Sequence, residues 1–488
     1  MNVLQAMDDP TMFGPHFQGD SWDAWRAFLA ALHGLPMTET QFATYQRHTG
    51  RQDVPTQAFT EAALICGRRG GKSRTLALLG TVLATQRDYR PFLAPGEVAT
   101  VAILASDRRQ ARSIFRFVKG MLDAVPALKR EITKETDETI ELGHQRVAIE
   151  ITTASFRAAR GYSYAACLFD ELAWTRDETS ANPDEEILAA IRPGLANIPG
   201  SMLLLASSPY AKRGALYKTF RRHYGQAGAR VLVWKASTAE MNPRIDPAII
   251  AEAYEDDPVS AASEYGGEFR NDIAAFVARE VVEACVEPGC FERPPSGHTV
   301  HGFTDPSGGA SDSFTLAIAH RDALSGKAIL DCVREIKAPF SPDEATREMA
   351  ETLTRYGLRS VTGDSYGGDW PRERFRVHGI AYELSDKPKS ALYREALPML
   401  NSGTVELLDN PVLITQLCNL ERRTARGGRD SIDHPPGQHD DLANAVAGVL
   451  RMVDVTQDDD WVWGRCAGLS DEEIARDRGI RAARMGAV

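Results

Sequence analysis

Residues 66–73 read Cys-Gly-Arg-Arg-Gly-Gly-Lys-Ser, directly after the apolar run EAALIC and directly before the helical pattern KSRTLALLGTVLAT. A loop at such a junction offers free backbone amides and the positive end of a helix to an anion. Lys72 would reach the β- and γ-phosphates of a nucleotide, and Ser73 would hold Mg2+. Measured against the pattern G-x-x-x-x-G-K-[ST], Cys66 stands where the first glycine belongs and Gly67 follows it, while Gly70 and Gly71 keep the close backbone approach. Two arginines, Arg68 and Arg69, lie in a loop whose work is ordinarily done by amides. Taken alone, the stretch leaves an ordinary glycine-rich turn as the lesser reading.

Further along, AACLFDE is an apolar strand ending in Asp170 and Glu171. An aspartate there can hold the Mg2+ shell of a nucleotide, and a neighbouring glutamate can orient or deprotonate an attacking water. By itself such a pair is as readily a solvated turn; joined to the preceding loop it points to ATP hydrolysis. The next apolar run, SMLLLASS, ends in Ser207 and Ser208, which would lie beside the γ-phosphate or cap the following helix.

The carboxy-terminal half carries acids of another pattern. Asp305 ends GFTD, Asp364 ends VTGD, and Asp440 and Asp441 begin a helix in GQHDDLANAV. Either of the last two alone would serve as a helix cap. If all converge, their repulsion calls for hard cations such as Mg2+ or Mn2+, and two of these can drive phosphodiester cleavage. Asp312 and His439 lie close in sequence and are further candidates for the shell. Two basic runs, DRRQARSIFRFVK (Arg108, Arg109, Arg112, Arg116, Lys119) and LERRTARGGR (Arg422, Arg423, Arg426, Arg429), could neutralise DNA phosphates or form solvated faces.

These residues need elements to hold them. From residue 61 to about 235, apolar runs alternate with amphipathic helical patterns, which predicts a mostly parallel sheet covered on both faces. Residues 1–55 read as a helical segment packing on that domain (56–270), and their aromatics Trp22, Trp25, Phe28, Phe42 and Tyr45 are either core or a clamp on the nucleotide base. The proline- and glycine-rich EPGCFERPPSG marks a linker over 271–298. In 299–455, three consecutive strands (HTVHGFTD, SFTLAIAH, KAILDCVREI) precede alternating helices and strands, a ribonuclease-H-like order, with NPVLITQLCNLERR read as one helix and 456–488 as a tail. In that order the first and fourth strands are neighbours and the last helix crosses their ends, so the acids meet.

Composition bounds the class. The 488 residues suffice for two or three domains, hydrophobic residues make up 43% and charged residues 25%, and no apolar stretch is long enough to span a membrane. The amino terminus lacks the pattern of a secretory signal, and the seven cysteines form no zinc-like set, so a reducing cytoplasm is expected. A net charge of -11 argues against a uniformly basic nucleic-acid coat and leaves room for a local basic channel.

A phosphate loop of this kind, a strand ending in Asp-Glu, a Ser-Ser strand end, a linker, and then Asp, Asp and His-Asp-Asp in a ribonuclease-H-like order resemble the large terminase subunit of tailed bacteriophages over about residues 20–455. The resemblance implies an ASCE-type ATPase domain followed by a nuclease domain. Lys72 and Ser73 would bind ATP-Mg, with Gly67, Gly70 and Gly71 lining the loop. Asp170 would hold the metal, Glu171 would be the catalytic carboxylate, and Ser207 and Ser208 the coupling motif. Asp305, Asp364 and Asp440, with Asp441 beside them, would be nuclease ligands for two Mg2+ or Mn2+. Arg68 or Arg69 would stabilise the transition state, in cis or from a neighbouring subunit. It further implies a motor on double-stranded DNA, a portal and procapsid, a small terminase subunit, a homo-oligomeric ring (commonly a pentamer), and a site of action in the host bacterial cytoplasm. A DNA-repair or helicase-type ATPase-nuclease is the alternative; a two-lobed helicase needs a second nucleotide-sandwiching lobe where this sequence has spaced acids.

Overall fold

The computed structural model describes residues 1–152, 161–175, 183–364, 370–424 and 430–466, with side chains as far as 454. The chain divides into two compact units, Met1–Asp272 and Ile273–Val488.

The first unit is built on eight strands: β1 (Glu61–Cys66), β2 (Ala99–Ala105), β3 (Ile132–Glu135), β4 (Thr139–Leu142), β5 (Val147–Ile151), β6 (Ser163–Asp170), β7 (Met202–Ser207) and β8 (Val231–Ala236). Their order in the sheet is β3-β4-β5-β2-β6-β7-β1-β8. All neighbours from β5 to β8 are parallel, and β3 and β4 add an antiparallel edge. The central strands are buried along almost their whole length and apolar except at their ends, as strands covered on both faces are. Helices Lys72–Gln86 and Arg108–Ala124 pack one face, and Pro183–Leu195 and Gly214–His223 the other. The order sets β7 between β1 and β6. Because all three run the same way, the loop after β1, the serines ending β7 and the acids ending β6 come out side by side.

Three of the five amino-terminal aromatics are core, and Trp22 and Phe42 pack against it partly buried. Trp25, Phe28 and Tyr45 are fully or almost fully buried, with Trp25 and Phe28 edge-on to each other and Phe28 edge-on to Trp234 of β8. Burial of each such ring contributes on the order of 1.5–3 kcal/mol.

The second unit contains β9 (Ile273–Ala275), β10 (Val286–Glu287), β11 (Val300–Asp305), β12 (Phe314–Arg321), β13 (Ala328–Ile336), β14 (Ser360–Gly363), β15 (Ala381–Leu384), β16 (Val405–Leu408), β17 (Glu421–Thr424) and β18 (Asp430–Asp433). Seven of them form a sheet in the order β10-β16-β13-β12-β11-β14-β15, in which β12 is antiparallel to both neighbours and the other pairs are parallel. Helices Lys389–Ser402 and Asp441–Cys466 cover one face, and Pro342–Arg355 and Trp370–Val377 the other.

Residues 271–298, expected as a linker, are largely built into this unit: β9 joins a small sheet with β17 and β18, β10 lengthens the main sheet, and Val282 and Cys285 lie in its core. The helix expected through Arg423 ends at Asn419, and residues 421–424 pair antiparallel with both β18 and β9. Tertiary pairing there overrides local helical pattern. The final helix continues past the expected domain end at 455 to Cys466, and the rest of the tail lies outside the described residues.

Candidate functional site

The loop after β1 is held from three sides. Arg68 N–H donates to the Glu264 carbonyl (2.6 Å), Thr238 Oγ1 to the Arg68 carbonyl (2.7 Å) and Asn242 Nδ2 to the Arg69 carbonyl (2.9 Å). From beneath, Trp25 Nε1 donates to the carbonyls of Gly70 (3.0 Å) and Met241 (3.1 Å). The glycines are required sterically: a Cβ on Gly67 would lie 2.2 Å from Thr238 Oγ1, and one on Gly70 2.5 Å from the Cys66 sulfur. Cys66 therefore fills, with a fully buried thiol, the space that Gly70 leaves. Burial pushes that thiol up to about 11, so it is an inert packing group. Gly71 has φ 101° and Arg69 φ 62°, the latter a left-handed conformation that costs a non-glycine residue energy and is held by the contacts around it.

Lys72 is buried, donating from Nζ to the carbonyls of Cys66 (2.8 Å) and Gly67 (3.2 Å), and lies 3.7 Å from Glu171. Ser73 Oγ donates to Asp170 Oδ2 (2.9 Å), so the expected pair of hard oxygen donors stands together. Burial, and then the neighbouring Glu171 charge, push the Asp170 carboxyl above its ordinary range. Glu171 has φ 52°, a second strained residue at the strand end. Its carboxylate accepts from Ser207 Oγ (3.1 Å), Ser208 N–H (3.2 Å) and Ser208 Oγ (3.1 Å). Both serines are thus directed at Glu171, and neither caps the following helix, whose N-cap is Arg213.

The two loop arginines differ. Arg68 pairs with Glu264 (2.5 Å) and lies over the Trp174 ring at 5.8 Å, whereas the exposed Arg69 makes no side-chain ion pair among the described residues.

In the second unit Asp305 ends β11 and Asp364 follows β14, its parallel neighbour, with Thr304 opposite Gly363. The helix that starts at Asp441 crosses these ends. Its Asn444 donates to Asp305 Oδ2 (2.7 Å), and Gly448, one turn on, lets it sit on Phe303: a Cβ there would be 2.4 Å from the ring. The Asp305 carboxyl is pushed up to about 7, chiefly by burial and then by the charges of Asp441, Asp364 and Asp440, against the Asn444 hydrogen bond. Asp441 is raised to about 6, by burial first, and accepts from Ser313 N–H (3.0 Å). His439 stands 3.5 Å from Asp312 and 3.9 Å from Asp441. Carboxylates whose burial and mutual repulsion disfavour their charged form are what a hard divalent cation relieves.

Asp440 has a different environment. It is buried, accepts from Tyr393 Oη (2.8 Å), and pairs with Lys389 (3.1 Å), which also binds Asp433 (2.8 Å). Asp433, His434 and Asp440 have ligand atoms within 4.8 Å of one another. Asp433, His434, Lys389, Tyr393 and Asn444 were not foreseen from the sequence, since only the pairing of β17 with β18 and the helix–sheet packing bring them here. A signal existed for Asn444 alone: it lies one helical turn after Asp440.

The basic runs are partly spent within the fold. Arg108 and Arg112 pair with Glu138, and Lys119 with Glu135, on the antiparallel edge; Arg422 pairs with Asp430 and Arg423 with Glu421. Arg426 and Arg429 lie outside the described residues. No helix among the described residues is long and apolar enough to cross a membrane.

No curated protein matches the sequence. Among solved structures, the chain is similar to the large terminase of bacteriophage HK97 (16% identity, 88% of this chain and 99% of that one, TM-score 0.38). It is similar also to the large terminase of a thermophilic bacteriophage (11%, 86% and 99%, TM-score 0.37) and to the large terminase nuclease of the thermophilic phage G20c with bound magnesium (17%, 36% and 98%, TM-score 0.31). These likenesses are too distant to assign roles to residues. Residues 64–182 match the family described as terminase large subunit, T4likevirus-type, N-terminal, a span that holds the phosphate loop and the acidic strand end. That match covers the amino-terminal part of the chain, which is similar there to terminase large subunits.

Proposed function

We propose that this chain is the ATP-driven motor and endonuclease that packages double-stranded DNA into a procapsid. The observation that carries the reading is the convergence of Lys72, Ser73, Asp170, Glu171, Ser207 and Ser208 at one edge of the first sheet, in a chain whose second unit gathers Asp305, Asp364, Asp440 and Asp441.

In the first unit the amides of Gly67, Gly70 and Gly71 and the Lys72 ammonium bind and orient the nucleotide phosphates. Glu171 accepts the proton of the attacking water, and Ser207 and Ser208 fix its carboxylate and report on the γ-phosphate. Arg69, exposed and without an ion pair among the described residues, is the better placed of the two arginines to meet transition-state charge; Arg68 is tied to Glu264. Ser73 and Asp170 would hold Mg2+, and Asp305, Asp364 and Asp441, with Asp440, would hold two Mg2+ or Mn2+, where such ions neutralise developing charge on phosphate oxygens and lower the pKa of a bound water. In the second unit Asn444 orients Asp305, and Lys389 and Tyr393 orient Asp440.

The partners that follow are double-stranded DNA, a portal on the procapsid, a small terminase subunit that selects the DNA, and further copies of this chain in a ring, commonly a pentamer, in the host bacterial cytoplasm. We propose the domain boundaries as an amino-terminal helical segment (1–55) and ATPase domain (56–270), then a nuclease domain beginning by 299, with the tail docking to the portal. The test is DNA protection from nuclease on incubation with procapsids, ATP and the purified chain. Protection by wild type and none by Lys72→Ala is expected; equal protection by both would overturn the motor assignment.

A further inference from the structure

At the edge of the first sheet opposite the phosphate loop, where β1, β7 and β8 begin, lies a cavity of about 920 Å3. Four cations line it, Arg192, Lys218, Arg222 and Arg230, against two carboxylates, Glu61 and Glu185. Each carboxylate is already taken: Glu61 by Arg192 (2.7 Å) and Glu185 by Lys218 (2.6 Å). Arg222 and Arg230 have no acidic partner among the described residues, and His223, also in the lining, is near enough to both to feel their charge. Burial, and then the Arg222 charge, hold the His223 imidazole below its ordinary range, with Arg230 and Arg51 acting the same way and Glu61 opposing. Leu188 and Ile198 give the cavity an apolar wall beside this charge.

Unpaired guanidiniums recognise phosphate oxygens by bidentate hydrogen bonding, and a cavity of this size with an apolar wall and a few convergent polar groups suits a ligand of nucleotide dimensions. We propose that this cavity is a second phosphate site, separate from the phosphate loop, which takes the pyrophosphate group of a free nucleotide on Arg222, Arg230 and His223. β1 begins at Glu61 in the cavity and ends at Cys66 of the phosphate loop, and β7 begins beside Ser201 in the cavity and ends at Ser207. An occupant therefore rests on the strands that carry the catalytic loop and the serines bound to Glu171.

The test reads the site itself. In the full-length chain with labelled histidine, the His223 ring resonance, assigned by its loss in His223→Gln, is followed by NMR with inorganic pyrophosphate, ADP or a short DNA duplex. Pyrophosphate and ADP are expected to move this resonance saturably and to raise the midpoint at which the imidazole protonates, since an anion offsets the two arginines. The response should persist in Lys72→Ala and weaken at least tenfold in affinity in the exposed double variant Arg222→Gln/Arg230→Gln. The proposal is overturned by an unmoved resonance at millimolar ligand, by a response lost in Lys72→Ala, by one that survives the double variant, or by movement with duplex DNA alone.

Discussion

Trp25→Phe separates two uses of the amino-terminal aromatics. The indole has no exposed surface and donates a single N–H to the carbonyls of Gly70 and Met241. Phenylalanine keeps most of the apolar contact and removes the donor. An unsatisfied buried acceptor costs about 1–3 kcal/mol, and the smaller ring adds roughly 1 kcal/mol of lost packing, so a loss of about 2–4 kcal/mol is expected. Because one of the carbonyls belongs to the phosphate loop, the KM for ATP should rise severalfold as the loop loses its support. Urea unfolding followed by circular dichroism gives the first quantity, and steady-state hydrolysis the second. A clamp on the nucleotide base would give the opposite pattern, weaker ATP binding with unchanged stability. That result, or no change in either quantity, would refute the support role.

Gly448→Ala should destabilise the second unit by about 1–3 kcal/mol, because the added methyl meets the Phe303 ring, and the thermal unfolding of the full chain checks it. Ser207→Ala should lower ATP turnover about tenfold or more while the affinity for nucleotide stays within about twofold, since it frees one side of Glu171 without touching the phosphate loop; rapid-quench turnover with equilibrium binding separates the two. His33 is half-buried with its Nε2 shielded and unpartnered among the described residues, and desolvation holds its imidazole down to about 4. A folded-state value below the unfolded one means that the unfolded chain takes up the proton first. Its neutral form therefore costs nothing above about pH 6.5, and stability falls by at most about 3 kcal/mol as the pH drops from there to about 4. His33→Leu should flatten that part of the acid-unfolding profile.

The chemistry was legible where it follows strand ends. β1, β6 and β7 are continuous apolar runs that stop at Lys72's loop, Asp170 and Ser207, and a parallel sheet brings such stops to one edge whatever its exact order. The three consecutive antiparallel strands β11, β12 and β13 were equally plain. Elements that depend on pairing were not. β3 and β4 are short and half polar, and β17 reads as the end of a helix until β9 and β18 flank it. The same limit hid Lys389 and Tyr393: each lies on a helix some 50 residues before Asp440 and reaches it only through packing. Trp25 was visible as an aromatic, but its N–H contact with the phosphate loop crosses 45 residues of sequence.

The central claim is that one chain carries two separable phosphate chemistries. DNA-stimulated ATP hydrolysis and Mn2+-dependent cutting of plasmid, measured side by side on wild type and Asp305→Asn, test it most directly. Both activities in wild type, with cutting lost and ATP hydrolysis retained in the variant, are predicted. Undiminished cutting by Asp305→Asn, or a wild-type chain that hydrolyses ATP and never cuts DNA, would contradict the account.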